Sequence, residues 1–337
     1  MKKVICIAMV LCMVLAVFGC SATATTETEP EAAATEAAAA TEAPAEEATA
    51  EAETLTFALL PKTLTNEYFV AMKDAAQAAC DALGVTLLCD APTEETMINE
   101  QIAMFETMMQ KGVDGILIVP NGTDEIVSSI EAANAAGIPV ICLDTNANGG
   151  DVLSFIGTNN YQGGVLAGEW VGKTYTGNVA IITGVPGNQC HTDRTQGFID
   201  GIANYPNVTL VADPVPGYCE RAQGMTCAEN LITAYPDLVA IYCCNDQMAM
   251  GAGEAVKAAG LSDQIAVIGF DGSPDCAQGI LDGLCAASVA QAPGRMAELG
   301  VNAMYEYIVN GTKPEATVDT GCTMVTIDNA SDYLTWH

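Results

Sequence analysis

The chain predicts an α/β protein built of two doubly wound parallel-sheet lobes, and three features of the sequence carry that expectation. Short apolar runs of strand length alternate with longer helix-period segments from Thr54 onward, as a parallel sheet flanked by helices requires. Several of the helical segments end on glycine, at Gly84, Gly112, Gly137 and Gly260, where a left-handed residue closes a helix at least cost. The stretch KGVDGILIVP in the first half has the same pattern as YPDLVAIYCCN in the second, so each half reads as its own sheet.

Taken in order, the candidate strands are LTFALL, VTLLC, GILIVP, PVICLD, SFIGT, NVAIIT, TLVAD, VAIYCCN, IAVIGFD and CAASVAQ. Helices are expected between them, among others over Phe69 to Leu83, Glu95 to Gln110, Asp124 to Ala136, Gln162 to Tyr175, Arg221 to Ala234 and Asp246 to Ala259. The chain from residue 54 to 337 is long enough for two lobes of ordinary size, and two lobes leave room for a cleft.

Ahead of this region lies a different kind of sequence. Lys2 and Lys3 precede an apolar run from Val4 to Phe18, short for a membrane span and right for an export signal over residues 1–19. The run closes on Val17, Phe18, Gly19 and Cys20, which resembles a bacterial lipobox with Phe as a mild departure. That resemblance implies a lipidated Cys20 anchoring the protein to the outer face of the cytoplasmic membrane. Residues 20–53 are almost wholly Ala, Thr, Glu and Pro, a composition that cannot bury enough surface to offset its ordering entropy and therefore reads as an acidic, disordered tether.

The formal net charge of -31 repels nucleic acid and anionic lipid, and membrane contact is expected through the lipid alone. Of 14 cysteines, Cys6 and Cys12 fall in the leader and Cys20 is the anchor, which leaves an odd number. They read as reduced thiols serving as small buried hydrophobes. No repeated CxxC is present, and neither a metal nor a cofactor is expected.

Ligands of open parallel sheets bind beyond the carboxyl ends of the strands. Asn66, Glu67, Tyr68 and Phe69 follow the first strand, Asp144 the fourth, Asn245 and Asp246 the eighth, Asp271 the ninth, and Gln291 the tenth. Carboxylates and amides exchange hydrogen bonds with fixed hydroxyls while aromatic rings cover C–H faces, a combination that suits a sugar. Each residue alone could serve a plainer purpose, with Asp246 and Asn66 as helix N-caps and Asp271 as a turn residue. Repetition across five strand ends favours the binding reading.

Through TLTNEYFVAMKDAAQ, IPVICLD, NLITAYPDLVAIYCCNDQMAMGA, VIGFDGSPD and ASVAQ, the chain resembles the ribose-binding type of periplasmic binding protein from about Leu55 to Thr326. The resemblance implies a type I fold with a three-strand hinge crossing near Thr158, Gln291 and Gly321. Its first lobe is expected over residues 54–158 and 292–320, its second over 159–291 and 321–337. It implies capture of a small neutral sugar (pentose, hexose or polyol) outside the cell and delivery to an ABC transporter permease, or presentation to a chemoreceptor or sensor kinase.

Ligand residues carried over on these motifs are Asn66, Tyr68, Phe69 and Asp144 in the first lobe, and Tyr218, Asn245, Asp271 and Gln291 in the second. Ribose-binding members carry arginine directly after the fourth-strand Asp and again after the sixth strand, where this chain has Thr145 and Thr192. The loss of two guanidiniums predicts a cleft with excess negative charge, which disfavours a phosphorylated sugar and admits a neutral or cationic ligand. His191 could supply the missing donor; Arg194 could face the cleft too, but is sooner placed on the helix that follows. A repressor would need a helix-turn-helix and a basic face. A glycosidase using Asp144 and Asp271 lacks support from a family that binds rather than cleaves.

Overall fold

The computed structural model describes residues 54–336. Cys20, the leader and the tether lie outside the described residues. In the first half the chain runs through β1 (Thr56–Leu60), α1 (Glu67–Leu83), β2 (Thr86–Cys89), α2 (Ile98–Gln110), β3 (Gly115–Ile118), α3 (Val127–Ala135), β4 (Val140–Leu143) and β5 (Ser154–Gly157). It continues through α4 (Asn160–Thr174), β6 (Gly177–Thr183), α5 (Gln189–Ile202), β7 (Val208–Leu210), β8 (Val215–Pro216), α6 (Arg221–Ala234), β9 (Leu238–Cys243) and α7 (Asp246–Ala258). It closes with β10 (Ala266–Asp271), α8 (Pro274–Leu281), β11 (Ala287–Ala290), α9 (Pro293–Asn310), β12 (Thr317–Asp319) and β13 (Thr323–Thr326).

The strands form two sheets. One has the order β12-β5-β4-β3-β1-β2 and is parallel throughout. The other runs β13-β11-β10-β9-β6-β7, with β8 beside the end of β6 and β13 antiparallel at its edge. The chain passes between them three times, after β5, after β11 and after β12, so three short segments form the hinge.

Strand alternation builds the first lobe's two core layers. Phe57, Leu59, Leu117, Ile141 and Leu143 point to one face and pack on Met72 of α1 and on Met296, Val301 and Met304 of α9. Ala58, Leu60, Ile116, Ile118 and Val140 point to the other and pack on Phe105 and Met108 of α2 and Ile130 of α3. Burial on both faces is why these strands read as unbroken apolar runs. The expected glycines do follow helices with positive φ, at 69° for Gly84, 72° for Gly112, 79° for Gly137 and 70° for Gly260.

In the second lobe α4 and α5 cross at backbone distance. A Cβ built on Gly168 would lie 2.5 Å from the Phe198 carbonyl oxygen, and one on Gly201 would lie 2.7 Å from that of Val165. Gly164 and Gly197 make the same approach to Arg194 and Tyr161. This contact fixes α5, which carries several cleft residues.

One boundary differs from expectation with a consequence for the site. Helix α2 starts at Ile98 rather than Glu95, because residues 93–97 form a turn in which Met97 N–H donates to the Glu94 carbonyl at 3.2 Å. Glu95 is thereby free of the helix and buried. At the C-terminus Ala330 and Tyr333 pack with the second lobe, while the Trp336 ring packs edge-on against Tyr68 of the first, with centroids 5.7 Å apart.

Candidate functional site

The carboxyl ends of the two sheets face one another across a small, nearly filled cavity of about 20 Å³. From the first lobe it is lined by Lys62, Asn66, Tyr68, Phe69, Glu95 and Asp144, and from the second by Cys190, His191, Arg194, Asn245 and Asp271. The lobes touch around it: the Asn188 side-chain amide donates to the Asn121 carbonyl at 2.8 Å, and Lys62 Nζ donates to Cys190 Sγ at 3.4 Å.

Asn66 caps α1 by accepting from the Tyr68 N–H at 3.0 Å, which turns Tyr68 and Phe69 into the cleft. The Tyr68 hydroxyl donates to Asp144 Oδ1 at 2.9 Å, and the Phe69 ring stands edge-on to it with centroids 5.1 Å apart. Thr145 is buried and donates its hydroxyl to Asp144 Oδ2 at 2.9 Å. Lys62 Nζ lies 3.6 Å from the same oxygen. Burial opposes ionisation of Asp144, but Lys62 and Arg194 prevail and hold its carboxyl below the usual range.

In the second lobe Asn245, and not Asp246, is the N-cap of α7, accepting from Met248 N–H at 3.0 Å while its amide donates to the Cys219 carbonyl at 3.3 Å. Asp246 instead accepts from Ser288 Oγ at 2.7 Å, beneath the site. Asp271 accepts from Gln291 Nε2 at 2.9 Å, and Gln291 Oε1 is buried without a hydrogen-bond partner. Burial pushes the Asp271 carboxyl well up, with Arg194 opposing and Asp246 and Asp144 adding to the rise.

Four of the predicted residues do not line the cavity: Thr145 and Gln291 stand behind Asp144 and Asp271, and Thr192 and Tyr218 turn away. Thr192 is exposed, and its hydroxyl donates to the Asn188 carbonyl at 3.2 Å, because the helical repeat of α5 turns residues 190, 191 and 194 inward and 192 away. Tyr218 is 39% exposed; its neighbour Cys219 turns inward instead. Both have left-handed backbone, with φ of 53° and 66°, and the other positive-φ residues besides glycine among those described are Asp144 and Asp271. Strain of this kind gathers at functional sites, and here all four positions border the cleft or its mouth.

Sequence reasoning missed Lys62, Glu95, Cys190 and Cys219, and Arg194 both lies on the expected helix and faces the cleft. Arg194 is buried: Nε donates to Asn160 Oδ1 at 2.8 Å, Nη1 to the Cys244 carbonyl at 2.8 Å, and the guanidinium carbon lies 3.8 Å from the Phe270 ring centroid. Its Nη1 is 3.4 Å from Asp271 Oδ1. Lys62 keeps its charge although burial opposes it, because Cys190, Asp144 and Glu95 surround it. The Cys190 thiol, despite burial, is drawn down to about 6 by His191 and Lys62. The expected excess of negative charge is therefore corrected: Lys62, Arg194 and His191 supply cations against Asp144, Glu95 and Asp271. No metal was expected, and Glu95, His191 and Cys219 nonetheless come together from a turn, the start of α5 and the loop before α6, which share no spacing motif.

Two hinged α/β lobes facing one another across a polar, largely charge-paired cavity define a solute-binding protein. Residues 57–313 match the periplasmic binding protein domain, and the chain belongs to that family. It is 34% identical over 263 residues to the ribose import binding protein of Salmonella typhimurium, covering 77% of this chain and 87% of that one. The periplasmic solute-binding protein of an ABC transporter from Actinobacillus succinogenes, solved with bound D-allose, superposes with a TM-score of 0.79 at 28% identity, over 83% of this chain and 100% of the other. A carbohydrate transporter solute-binding protein from Agrobacterium radiobacter, solved with D-arabinose, superposes with a TM-score of 0.79 at 32% identity, over 83% and 97%.

Proposed function

We propose that the protein captures a small neutral sugar or polyol in this cleft and presents it to an ABC transporter permease, held at the outer face of the cytoplasmic membrane by lipidated Cys20. The observation that carries the reading is the pairing of charge in the cavity. Lys62 lies 3.6 Å from Asp144 and Arg194 3.4 Å from Asp271, so the ionic groups satisfy one another and a ligand's net charge would be left uncompensated. What remains for the ligand is hydrogen bonding, by Asp144, Asp271 and Asn245, beside the aromatic surfaces of Tyr68 and Phe69.

The protein works by binding, not catalysis. Ligand bridging selects the closed arrangement, and surfaces on both lobes then acquire the spacing a permease reads. A thermal-shift and calorimetry panel of pentoses, hexoses, polyols, nucleosides and polyamines tests this. The expected result is saturable binding of a sugar or polyol, weakened about tenfold or more in both Asp144→Asn and Asp271→Asn, equivalent to about 1.4 kcal/mol. Binding of only amines or nucleosides, or turnover of a sugar, would overturn the reading.

A further inference from the structure

We infer that Glu95, His191 and Cys219 form a transition-metal site of the zinc class that joins the two lobes at the mouth of the cleft. Glu95 comes from the first lobe, in the turn before α2; His191 lies in the first turn of α5 and Cys219 just before α6, both in the second. One ligand atom of each lies within 4.8 Å of the others, and all three residues are buried. Cys219 Sγ is 3.3 Å from His191 Nε2, and that nitrogen is 3.9 Å from Glu95 Oε2. Tetrahedral zinc with bonds of about 2.0–2.3 Å sets its ligand atoms roughly 3.3–3.7 Å apart, so a small rotation of Glu95 completes the geometry. A thiolate, an imidazole and a carboxylate together select a borderline ion over the hard cations calcium and magnesium.

The surroundings are built for these orientations. Tyr218 and Cys219 are consecutive left-handed residues, and that turn sends the tyrosine outward and the thiol inward. A Cβ on Gly184 would lie 2.5 Å from His191 Cγ and 2.6 Å from Cε1, so only glycine there admits the ring in its present position. Glu95 and His191 line the inner cavity, and Glu95 and Cys219 line a larger pocket at the cleft mouth beside Thr93 and Glu94, which gives an ion its access path.

The neighbouring Lys62 ammonium, 4.0 Å from Glu95, does not exclude a dication. Binding displaces one proton from the imidazolium and one from the thiol, so two positive charges replace two and the buried total stays the same.

The experiment is metal analysis of the purified protein together with cobalt(II) and zinc titration, read by thiolate-to-cobalt charge-transfer absorption and calorimetry. The expected result is one tightly held equivalent, with the charge-transfer band abolished in Cys219→Ser and affinity lowered about 10–100-fold or more in His191→Ala and Glu95→Gln. Gly184→Ala, which displaces the ring without removing a ligand, should weaken the metal as well, and circular dichroism shows whether each variant is folded. The absence of a stoichiometric site, or a site whose affinity and spectrum survive in folded Cys219→Ser and His191→Ala, overturns the inference. Sugar binding measured separately after chelation keeps this outcome distinct from the proposed transport role.

Discussion

Replacing Arg194 with methionine tests whether the second lobe is organised around a buried guanidinium. Methionine keeps an unbranched stem against Phe270 but donates nothing. Asn160 Oδ1 and the Cys244 carbonyl, each 2.8 Å from the guanidinium, lose a donor inside the protein. Each buried acceptor left unpaired costs about 1–3 kcal/mol. Asp271 loses its cation as well, but burial already weighs against its ionised form and Gln291 Nε2 still donates to it, so that share is the smaller one. The lost cation–π contact adds about 1 kcal/mol, offset in part by apolar packing of the methionine. The expected total is about 3–5 kcal/mol, read as a lower urea midpoint at unchanged m-value in the absence of ligand. Arg194→Lys should fall between, since it keeps the charge and loses the fork. A destabilisation of Arg194→Met below about 1 kcal/mol would refute the account, because it would mean water already serves those acceptors.

Phe198→Ala should cost about 3–5 kcal/mol in the same assay, since the ring is fully buried and stacked on Tyr242 with centroids 4.3 Å apart. Gly197→Ala should destabilise by about 1–3 kcal/mol despite alanine's better helix propensity, because its Cβ meets the rigid Tyr161 carbonyl; a gain in stability would show that α4 and α5 are less close than described. Burial lifts the Asp246 carboxyl to about 6, above the ordinary range, so its protonated form is the one the fold favours. Stability from this group is full below the ordinary carboxylate pKa and is lost as pH rises through about 6, by about 3 kcal/mol; urea midpoints across that window should show the slope in the wild type and its loss in Asp246→Asn.

The fold was legible because burial on both faces of a parallel sheet leaves unbroken apolar runs such as GILI and VICL, and because left-handed glycines mark helix ends at Gly84 and Gly137. The strand-end residues Asp144, Asn245 and Asp271 were legible for the same reason: the sheet itself delivers them to the cleft. Residues placed by helix rotation or by turns were not. Thr192 and Arg194 differ by two positions on α5, and only the helix's rotational setting, fixed by the glycine contact with α4, decides which of them faces the cavity. Tyr218 and Cys219 differ by one, and a pair of positive-φ residues that no glycine announces exchanges their directions. Glu95 looked like part of a helix, and a local turn removed it. Lys62 left one usable signal: a lysine directly after the first strand, in a chain with 11 basic residues in all, is a costly group to set at the edge of a sheet core unless something there needs its charge.

That cost explains how the two halves of the site work together. Lys62 belongs to the first lobe and Cys190 to the second; Glu95 belongs to the first and His191 to the second. Neither pair exists when the cleft opens, and the groups then regain water, which offsets most of what separation loses. The cross-lobe ion pairs are therefore poor at holding the protein shut and good at making the shut form specific, since misaligned lobes would strand buried charges without partners. Neutral contacts such as Asn188 with Asn121 add register without much net energy. In the proposed binding role, that near-balance would let a few hydrogen bonds from Asp144 and Asp271 to one bridging molecule shift the whole population.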